Sequence, residues 1–267
     1  MATLIKVELF RLLKSKQLLI STIVLAILAA ISGFSYFAIG NSYDLDKNQL
    51  SSLECALTMM TISGNPIVIS SMFFITFINS DMRDGTIRNK IISGYSRIKI
   101  FFSYFIVGIA YVLFLIILSV IIVTVLASLY FNLDLVFFNF ASLLDYIVFA
   151  LVGMVYAVSI AILLAIIFNG KVAPTMLFFG IIIAFTVLGT ITDSIADNVS
   201  SSLRIFSKIN VTYYMTQITP VIDIDYYSKK TIIFEFSDYI YFIVIPVFYI
   251  IIHTLLALYL MDRKDFK

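Results

Sequence analysis

Charged residues divide the chain into long apolar segments. Six of these segments carry no Asp, Glu, Lys or Arg over more than about 20 residues, the length with which a helix crosses about 30 Å of hydrocarbon. A charge at the centre of a spanning helix costs about 3 kcal/mol, so the pattern predicts six transmembrane helices. The predicted spans are 18–40, 56–79, 100–129, 146–168, 172–192 and 239–261.

The segment before the first span, residues 1–16, has helical periodicity with an apolar and a basic side. It predicts an amphipathic helix in the membrane interface, with its cations near anionic lipid headgroups. Basic residues ahead of a first span are also ordinary topology signals, and both interpretations stay open. The apolar side holds Ile5, Leu9, Leu12 and Leu13, and the polar side holds Lys6, Glu8, Arg11 and Lys14.

Composition excludes the other broad classes of protein. The chain is 61% hydrophobic and 13% charged, whereas soluble domains are about 45–50% apolar and about 25% charged. Disorder requires low hydrophobicity, and a single cysteine, Cys55, excludes an intrachain disulfide. The net charge of +2 does not suggest a nucleic-acid partner. We therefore expect one all-α integral membrane domain over residues 1–267.

The distribution of basic residues predicts the orientation. Of the 18 Lys and Arg residues, 13 lie before the first span, after the last one or in the loops that follow the second and fourth. The positive-inside rule places these segments, and both termini, in the cytoplasm. Residues 81–97 then form a cytoplasmic loop, and residues 193–238 form a long extracellular segment before the sixth span.

The cytoplasmic loop predicts a short helix over 87–93. Asp84 or Thr86 would cap its start, and Gly94 stands where a C-terminal cap glycine belongs. One side would present Ile87, Ile91 and Ile92, and the other Arg88, Asn89 and Lys90. A rigid helix of mixed polarity between two spans suits the docking of a soluble partner, although basic inner loops also occur without one.

The loop resembles the coupling-helix region of ABC-2 type ABC transporter permeases, especially those of low-GC Gram-positive bacteria. The similarity rests on Asp81, on Gly85-Thr86 and on Ser96-Arg97, followed by a third span. Many members have proline just before the Ser-Arg pair, where this chain has Gly94-Tyr95. The resemblance implies docking of an ATP-binding subunit at this loop and pairing with a second permease, identical or different. The residues so implied are Asp81, Arg83, Asp84, Gly85, Thr86, Arg88, Lys90, Ile91, Ser96 and Arg97.

The same resemblance implies short re-entrant helices that close an outer gate before the last span. Residues 209–222 are too short and too polar to cross the membrane and correspond best to that segment. The candidate gate residues are Tyr213, Tyr214, Gln217 and Pro220.

Motifs for catalysis are missing from the sequence. No phosphate-binding G-x-x-x-x-G-K-[ST] motif occurs, so ATP and Mg²⁺ are expected on the partner subunit and no cofactor or metal on this chain. One histidine and one cysteine do not make a typical zinc site. His253 lies within the sixth span, where it either has a functional role or bonds a backbone carbonyl, Ser or Thr of a neighbouring helix.

Spans without Asp, Glu, Lys or Arg argue against ion-coupled transport and favour an amphipathic or hydrophobic cargo, such as a peptide, a drug or a lipid-like molecule. The leading hypothesis is a permease subunit of an ABC exporter in the bacterial cytoplasmic membrane, in contact with lipid and not itself an enzyme. The alternative is a non-transporting immunity or resistance protein that binds a membrane-active peptide. An ion channel and an intramembrane enzyme are weaker options, for want of a charged ring or a paired catalytic site.

Overall fold

The structure is a computed structural model that describes residues 1–42, 51–60, 66–133, 140–168, 170, 172–198, 204–216 and 239–264. Those residues contain no β-strand, in agreement with the all-α prediction. In chain order the helices are α1 (Ala2–Leu13), α2 (Lys16–Ser42), α3 (Ser52–Leu57), α4 (Pro66–Arg83), α5 (Thr86–Ile92), α6 (Arg97–Ala127), α7 (Phe140–Ile167), α8 (Val172–Asn198), α9 (Arg204–Ile209), α10 (Val211–Thr216) and α11 (Ile245–Arg263), the last preceded by a π-helical turn, Ile240–Val244.

Within the described residues, five helices are long and apolar enough to cross a membrane, which makes this a multi-pass membrane protein. They correspond to five of the six predicted spans, with ends that differ by a few residues. The helix α7 begins at Phe140 rather than at 146, and α8 continues to Asn198 rather than ending at 192. The crossing segments are Lys16–Ile39, Arg97–Ala127, Phe140–Ile167, Val172–Ala196 and Ile240–Arg263.

The predicted second span, 56–79, is divided between two helices. Its first part lies in α3 and a 3₁₀ turn, Thr58–Met60, and its second part lies in α4; residues 61–65 are outside the described residues. Pro66 begins α4, where its missing N–H leaves no helical bond unmade. The Tyr146 hydroxyl donates to the Leu57 carbonyl at 2.7 Å, which fixes the end of α3 against α7.

The core lies where α4 and α6 pack on α7, the helix most enclosed by its neighbours. Gly108 of α6 marks the closest approach, because a Cβ at that position would lie 2.5 Å from the Phe74 ring and 3.0 Å from Val158. The outer faces of α8 and α11 are instead broadly exposed and apolar, as expected of lipid-facing surfaces.

Candidate functional site

Two glycines with positive φ define the ends of α5. Gly85 (φ 70°) precedes the helix, and Gly94 (φ 87°) follows it; this left-handed region is costly for residues with a Cβ. Tyr95 N–H donates to the Lys90 carbonyl at 3.1 Å and Gly94 N–H to that of Ile91 at 3.0 Å, the two bonds of a Schellman motif. The prediction for Gly94 is confirmed.

The predicted start of this helix is wrong. The N-cap of α5 is Gly85, which has no side chain to make a capping bond, rather than Asp84 or Thr86. Asp84 instead accepts a hydrogen bond from Arg83 Nε at 3.2 Å on the exposed surface. The left-handed glycine turns the chain directly from α4 into α5, so no extended capping residue fits between them.

The two faces of α5 also differ from the prediction. Ile87 and Lys90 are buried against the bundle, whereas Arg88, Asn89 and Ile92 are exposed and Ile91 is half-buried. Lys90 therefore does not belong to the outer polar face. The ammonium group of Lys90 pairs with Glu8 and lies near Asp81 inside the protein. This ion pairing holds the Lys90 side of α5 inward.

A cluster of four charged side chains and one phenol lies behind α5; we call it the buried charge cluster. Its members are Glu8 and Arg11 of α1, Asp81 of α4, Lys90 of α5 and Tyr104 of α6. Lys90 Nζ pairs with Glu8 Oε1 and lies 3.6 Å from Asp81 Oδ2. Tyr104 joins both sides, since its hydroxyl accepts from Lys90 Nζ at 2.7 Å and donates to Asp81 Oδ2 at 2.6 Å.

Arg11 closes the cluster on the side of α1. Its two terminal nitrogens donate to the two oxygens of Asp81, one of them at 2.9 Å, and Nη1 lies 3.3 Å from Glu8 Oε2. This fork geometry matches a carboxylate well and gives Asp81 a fixed orientation. One cluster thus joins α1, α4, α5 and α6.

The electrostatics of the cluster explain how it tolerates burial. Glu8, Asp81 and Lys90 are 0%, 3% and 8% exposed, and two acids balance two cations. Burying charges is costly unless they are paired and hydrogen-bonded, as they are here. Burial raises the pKa of Glu8 above its usual 4.5, and the nearby Lys90 cation opposes that shift. Separating any one of the four charged members would leave an uncompensated charge in the cluster.

The predicted apolar face of α1 is therefore only partly correct. Leu12 is buried as expected, and Ile5 and Leu9 are half-buried, but Leu13 is 66% exposed and Glu8 is fully buried. The helix turns Leu4, Glu8 and Leu12 toward the bundle because Glu8 meets Lys90 there. Val7, Phe10 and Leu13 remain on the exposed side.

The Ser-Arg pair at the start of α6 has a structural role. Ser96 is the N-cap, and its hydroxyl oxygen accepts from Lys99 N–H at 3.4 Å. Arg97 donates to three carbonyls at the end of α11, those of Met261 (2.8 Å), Asp262 and Lys264 (3.2 Å). Lys264 in turn donates to the Ile166 carbonyl of α7. These hydrogen bonds join one end each of α6, α7 and α11. The helix α6 follows α5 directly in the chain.

The predicted gate segment, 209–222, begins at the last residue of α9 and contains α10, and both helices pack on α8; residues 217–222 lie outside the described residues. Tyr213 is buried, and its hydroxyl donates to Asp193 Oδ2 at 3.0 Å. A Cβ at Gly189 would overlap Cβ and Cγ of Tyr213, so this glycine lets the ring rest on the backbone of α8. Tyr214 lies in α10, while Gln217 and Pro220 lie outside the described residues.

Two contacts show how far α10 reaches along its neighbours. Asn210, just before α10, donates from Nδ2 to the carbonyl of Phe185, near the midpoint of α8. Its Oδ1 accepts from Tyr213 N–H at 3.2 Å and so caps α10. Thr212 Oγ1 lies 3.3 Å from the hydroxyl of Tyr156, in the interior of α7. The helix α10 therefore begins at mid-height of the bundle.

His253 also meets a neighbouring helix through a hydroxyl group. Its Nδ1 lies 3.0 Å from Ser159 Oγ of α7. The expected bond to a Ser or Thr of a neighbouring helix is confirmed.

Sequence reasoning missed four residues that hold these sites together: Glu8, Tyr104, Asp193 and Gly189. Glu8 is the one acid among the cations of residues 1–16, and this was the available signal for a buried partner. Tyr104 and Gly189 lie in apolar spans without a distinguishing pattern. Within the described ranges no group of His, Cys, Asp and Glu could hold a metal ion.

Comparison with known proteins adds no relative to this picture. No protein-family model matches the chain, and no curated protein matches it.

Proposed function

We propose that this chain is the permease subunit of an ATP-driven exporter of the ABC-2 type in the cytoplasmic membrane of a bacterium. The observation that carries the proposal is α5, a rigid short helix fixed from behind by the buried charge cluster. It offers Arg88, Asn89 and Ile92 outward, a small surface of mixed polarity. In this proposal α5 is the coupling helix, and an ATP-binding subunit docks on that surface.

The proposed topology has six crossings with both termini in the cytoplasm. The helix α4 supplies the second crossing: its 18 residues extend about 27 Å, close to the thickness of the hydrocarbon layer. The orientation is supported by the 13 of 18 basic residues in the termini and the loops assigned to the cytoplasm. In this arrangement α1 lies in the inner interface against lipid headgroups.

The buried charge cluster would carry force from α5 to the spans. Asp81 and Lys90 are inside the protein, so their part in docking is to set the position of α5 rather than to touch the partner. A displacement of α5 moves Lys90, and Lys90 is bonded to α1 and α6 and close to Asp81 of α4. A rigid link of this kind is what a coupling element requires.

The remaining parts of the proposed transporter come from partners. ATP and Mg²⁺ bind the ATP-binding subunit, and a second permease, identical or different, completes the pathway. The exported cargo is amphipathic or hydrophobic, and the helices α9 and α10 act as the outer gate. That role is supported by the depth to which α10 enters the bundle and by the burial of Tyr213.

The test uses two exposed isoleucines at the same end of the bundle. Ile92 lies on α5 and is 72% exposed; Ile98 lies on α6 and is 60% exposed. The chain, carrying a photoreactive amino acid at one position or the other, is co-expressed with any ATP-binding cassette subunit whose gene lies beside its own. We expect crosslinking to the ATP-binding subunit from position 92 and little from position 98.

A charge introduced at the same two positions gives the functional readout. The variant Ile92→Asp should reduce the stimulation of ATP hydrolysis by the permease at least tenfold, and Ile98→Asp should leave it nearly unchanged. Absence of any ATP-binding subunit from the purified complex would overturn the proposal. Resistance to a membrane-active peptide that survives Ile92→Asp would favour the immunity protein instead.

A further inference from the structure

Three aromatic rings meet between α7 and α11. The centroid of the His253 ring lies 5.8 Å from that of Tyr156 and 6.2 Å from that of Tyr249. The two tyrosine rings lie 6.4 Å apart, so the three rings form a triangle. Tyr156 is buried, and His253 is half-buried.

The hydrogen bonds of Ser159 determine the tautomer of His253. Ser159 Oγ lies 2.7 Å from the carbonyl oxygen of Tyr156, which can only accept, so the single hydroxyl proton goes there. The contact between Ser159 Oγ and His253 Nδ1 at 3.0 Å then needs its proton from the imidazole. His253 is therefore protonated on Nδ1, and its Nε2 bears a lone pair.

The surroundings favour the neutral form of this ring. The groups that contact His253 among the described residues are Ser159, Tyr156 and Tyr249, and none is an acid. With Nδ1–H already donated to Ser159, a second proton on Nε2 would find no acceptor among these groups. The same contacts exclude a nucleophilic Ser–His pair, because the serine proton is donated to a carbonyl and not to the imidazole.

A hydrogen-bond acceptor that lies in hydrocarbon without a donor is unfavourable. Within the described part of the chain, no donor bonds to Nε2 of His253. The neighbouring tyrosine faces attract cations. We propose that His253, Tyr156 and Tyr249 bind the ammonium group of an amphipathic amine, with N–H donated to Nε2 and the apolar body against the exposed side of α11. This inference rests on the proposed function, since it assigns a class of cargo to the transporter.

The position of the triangle suits that role. Tyr156, one of its three rings, meets Thr212 of α10 through its hydroxyl at 3.3 Å. An amine held at His253 would therefore lie directly behind the proposed outer gate.

The single histidine of the chain makes the test direct. The protein is labelled with ¹⁵N-histidine and placed in nanodiscs of phosphatidylglycerol, a lipid without an amine. The ¹⁵N spectrum should show a protonated Nδ1 and an unprotonated Nε2. A protonated Nε2 with an unprotonated Nδ1 would overturn the assignment.

The binding test compares two probes of equal charge and chain length, dodecylamine and dodecyltrimethylammonium. Only the first has N–H donors, and we expect it to shift the Nε2 signal and to bind roughly tenfold more tightly, as one charged hydrogen bond implies. Equal binding of the two probes, or an Nε2 signal that neither of them moves, would overturn the proposed site.

Two serine variants separate this role from a structural one. Ser159→Ala removes the acceptor for Nδ1–H and should shift the tautomer and reduce the preference for dodecylamine. Ser119→Ala is the matched control: Ser119 is buried and donates to the Leu115 carbonyl of its own helix, so neither readout should change. Selective amine binding by a protein that associates with no ATPase would refute the proposed function alone, whereas equal probe binding by an ATPase-coupled protein would refute this site alone.

Discussion

Two short helices, α5 and α10, are held against long ones by different means. An isolated helix of seven or six residues is not stable in water, so each depends on its neighbours. The buried charge cluster fixes α5 through ion pairs from Lys90. A ring against a glycine fixes α10, together with a bond from the Tyr213 hydroxyl to Asp193.

The difference follows from the position of each helix along the bundle. The cluster lies at the ends of the long helices, where paired charges are tolerated within the protein. The start of α10 lies near the middle of α8, where a charge is more costly. Close packing and hydrogen bonds from uncharged side chains therefore replace ion pairs. The Tyr213 side chain is long enough for its hydroxyl to reach the carboxylate of Asp193, farther along α8.

The largest effect is expected from breaking the charge cluster. Asp81→Ala removes the acceptor of Arg11 and Tyr104 and leaves a net buried positive charge, so the free energy of unfolding should fall by about 3–5 kcal/mol. Reversible unfolding in mixed micelles measures this. The control is Asp84→Ala, which breaks an exposed pair with Arg83 worth about 0–1 kcal/mol. Equal losses in both variants would show that the cluster does not anchor α5.

A methyl group on α8 tests the other anchor. Gly189→Ala places a Cβ in the space that Tyr213 occupies, and the overpacking should cost about 1–3 kcal/mol and displace α10. Gly180 lies in the same helix, and a Cβ there would meet no atom within 4 Å, so Gly180→Ala should be neutral or stabilise by about 0.5–1 kcal/mol. Protease cleavage near α10 and unfolding in micelles report the two effects. Indistinguishable variants would remove the argument for ring-on-backbone packing.

The end of α5 provides a smaller effect. Gly94 has φ 87° and open space around its Cα, so Gly94→Ala meets backbone strain alone and should cost about 1–2 kcal/mol. Gly94→Asn, a residue that tolerates this conformation, should cost less. Unfolding of the two variants in micelles gives the comparison. An alanine variant as stable as the asparagine variant would contradict the cap.

The smallest effect concerns pH. Burial raises the pKa of Glu8 above 4.5, so this carboxyl loses its proton at a higher pH in the folded chain than in the unfolded one. The stability that Glu8 contributes is complete below about pH 4.5 and is lost as pH rises through its folded pKa. The melting temperature of the unmodified protein, relative to that of Glu8→Gln, should therefore fall as pH rises over that interval. A difference that grows with pH would contradict the direction of this shift.

The sequence predicted local features better than contacts between distant segments. Gly94 could be identified because a helix cap depends on adjacent residues. The inward direction of Glu8 and Lys90 could not, because each is turned by a partner far away in the sequence. A charged residue on an amphipathic helix is expected to face outward, and only the tertiary structure reveals the opposite charge that reverses this expectation.

The residues around α10 show the same limit of prediction from sequence. Tyr213 was identified from its place in a polar segment before the last span. Gly189 was not identified, because the sequence around a glycine in an apolar span does not show whether another side chain packs on it. The division of the second span had a single signal, Pro66, a residue that favours a kink or a helix start, since residues 56–79 carry no charge that would mark it.

The ties made by Arg97 and Lys264 restrict the routes by which a molecule can reach His253. They join the ends of α6, α7 and α11, so a solute arriving in water at that end meets neighbouring helices that are already fastened together. The exposed side of α11 carries no such barrier and faces the hydrocarbon. Partitioning into the bilayer, followed by lateral diffusion, is then the shorter path, and the concentration that matters is the one dissolved in the lipid around α11.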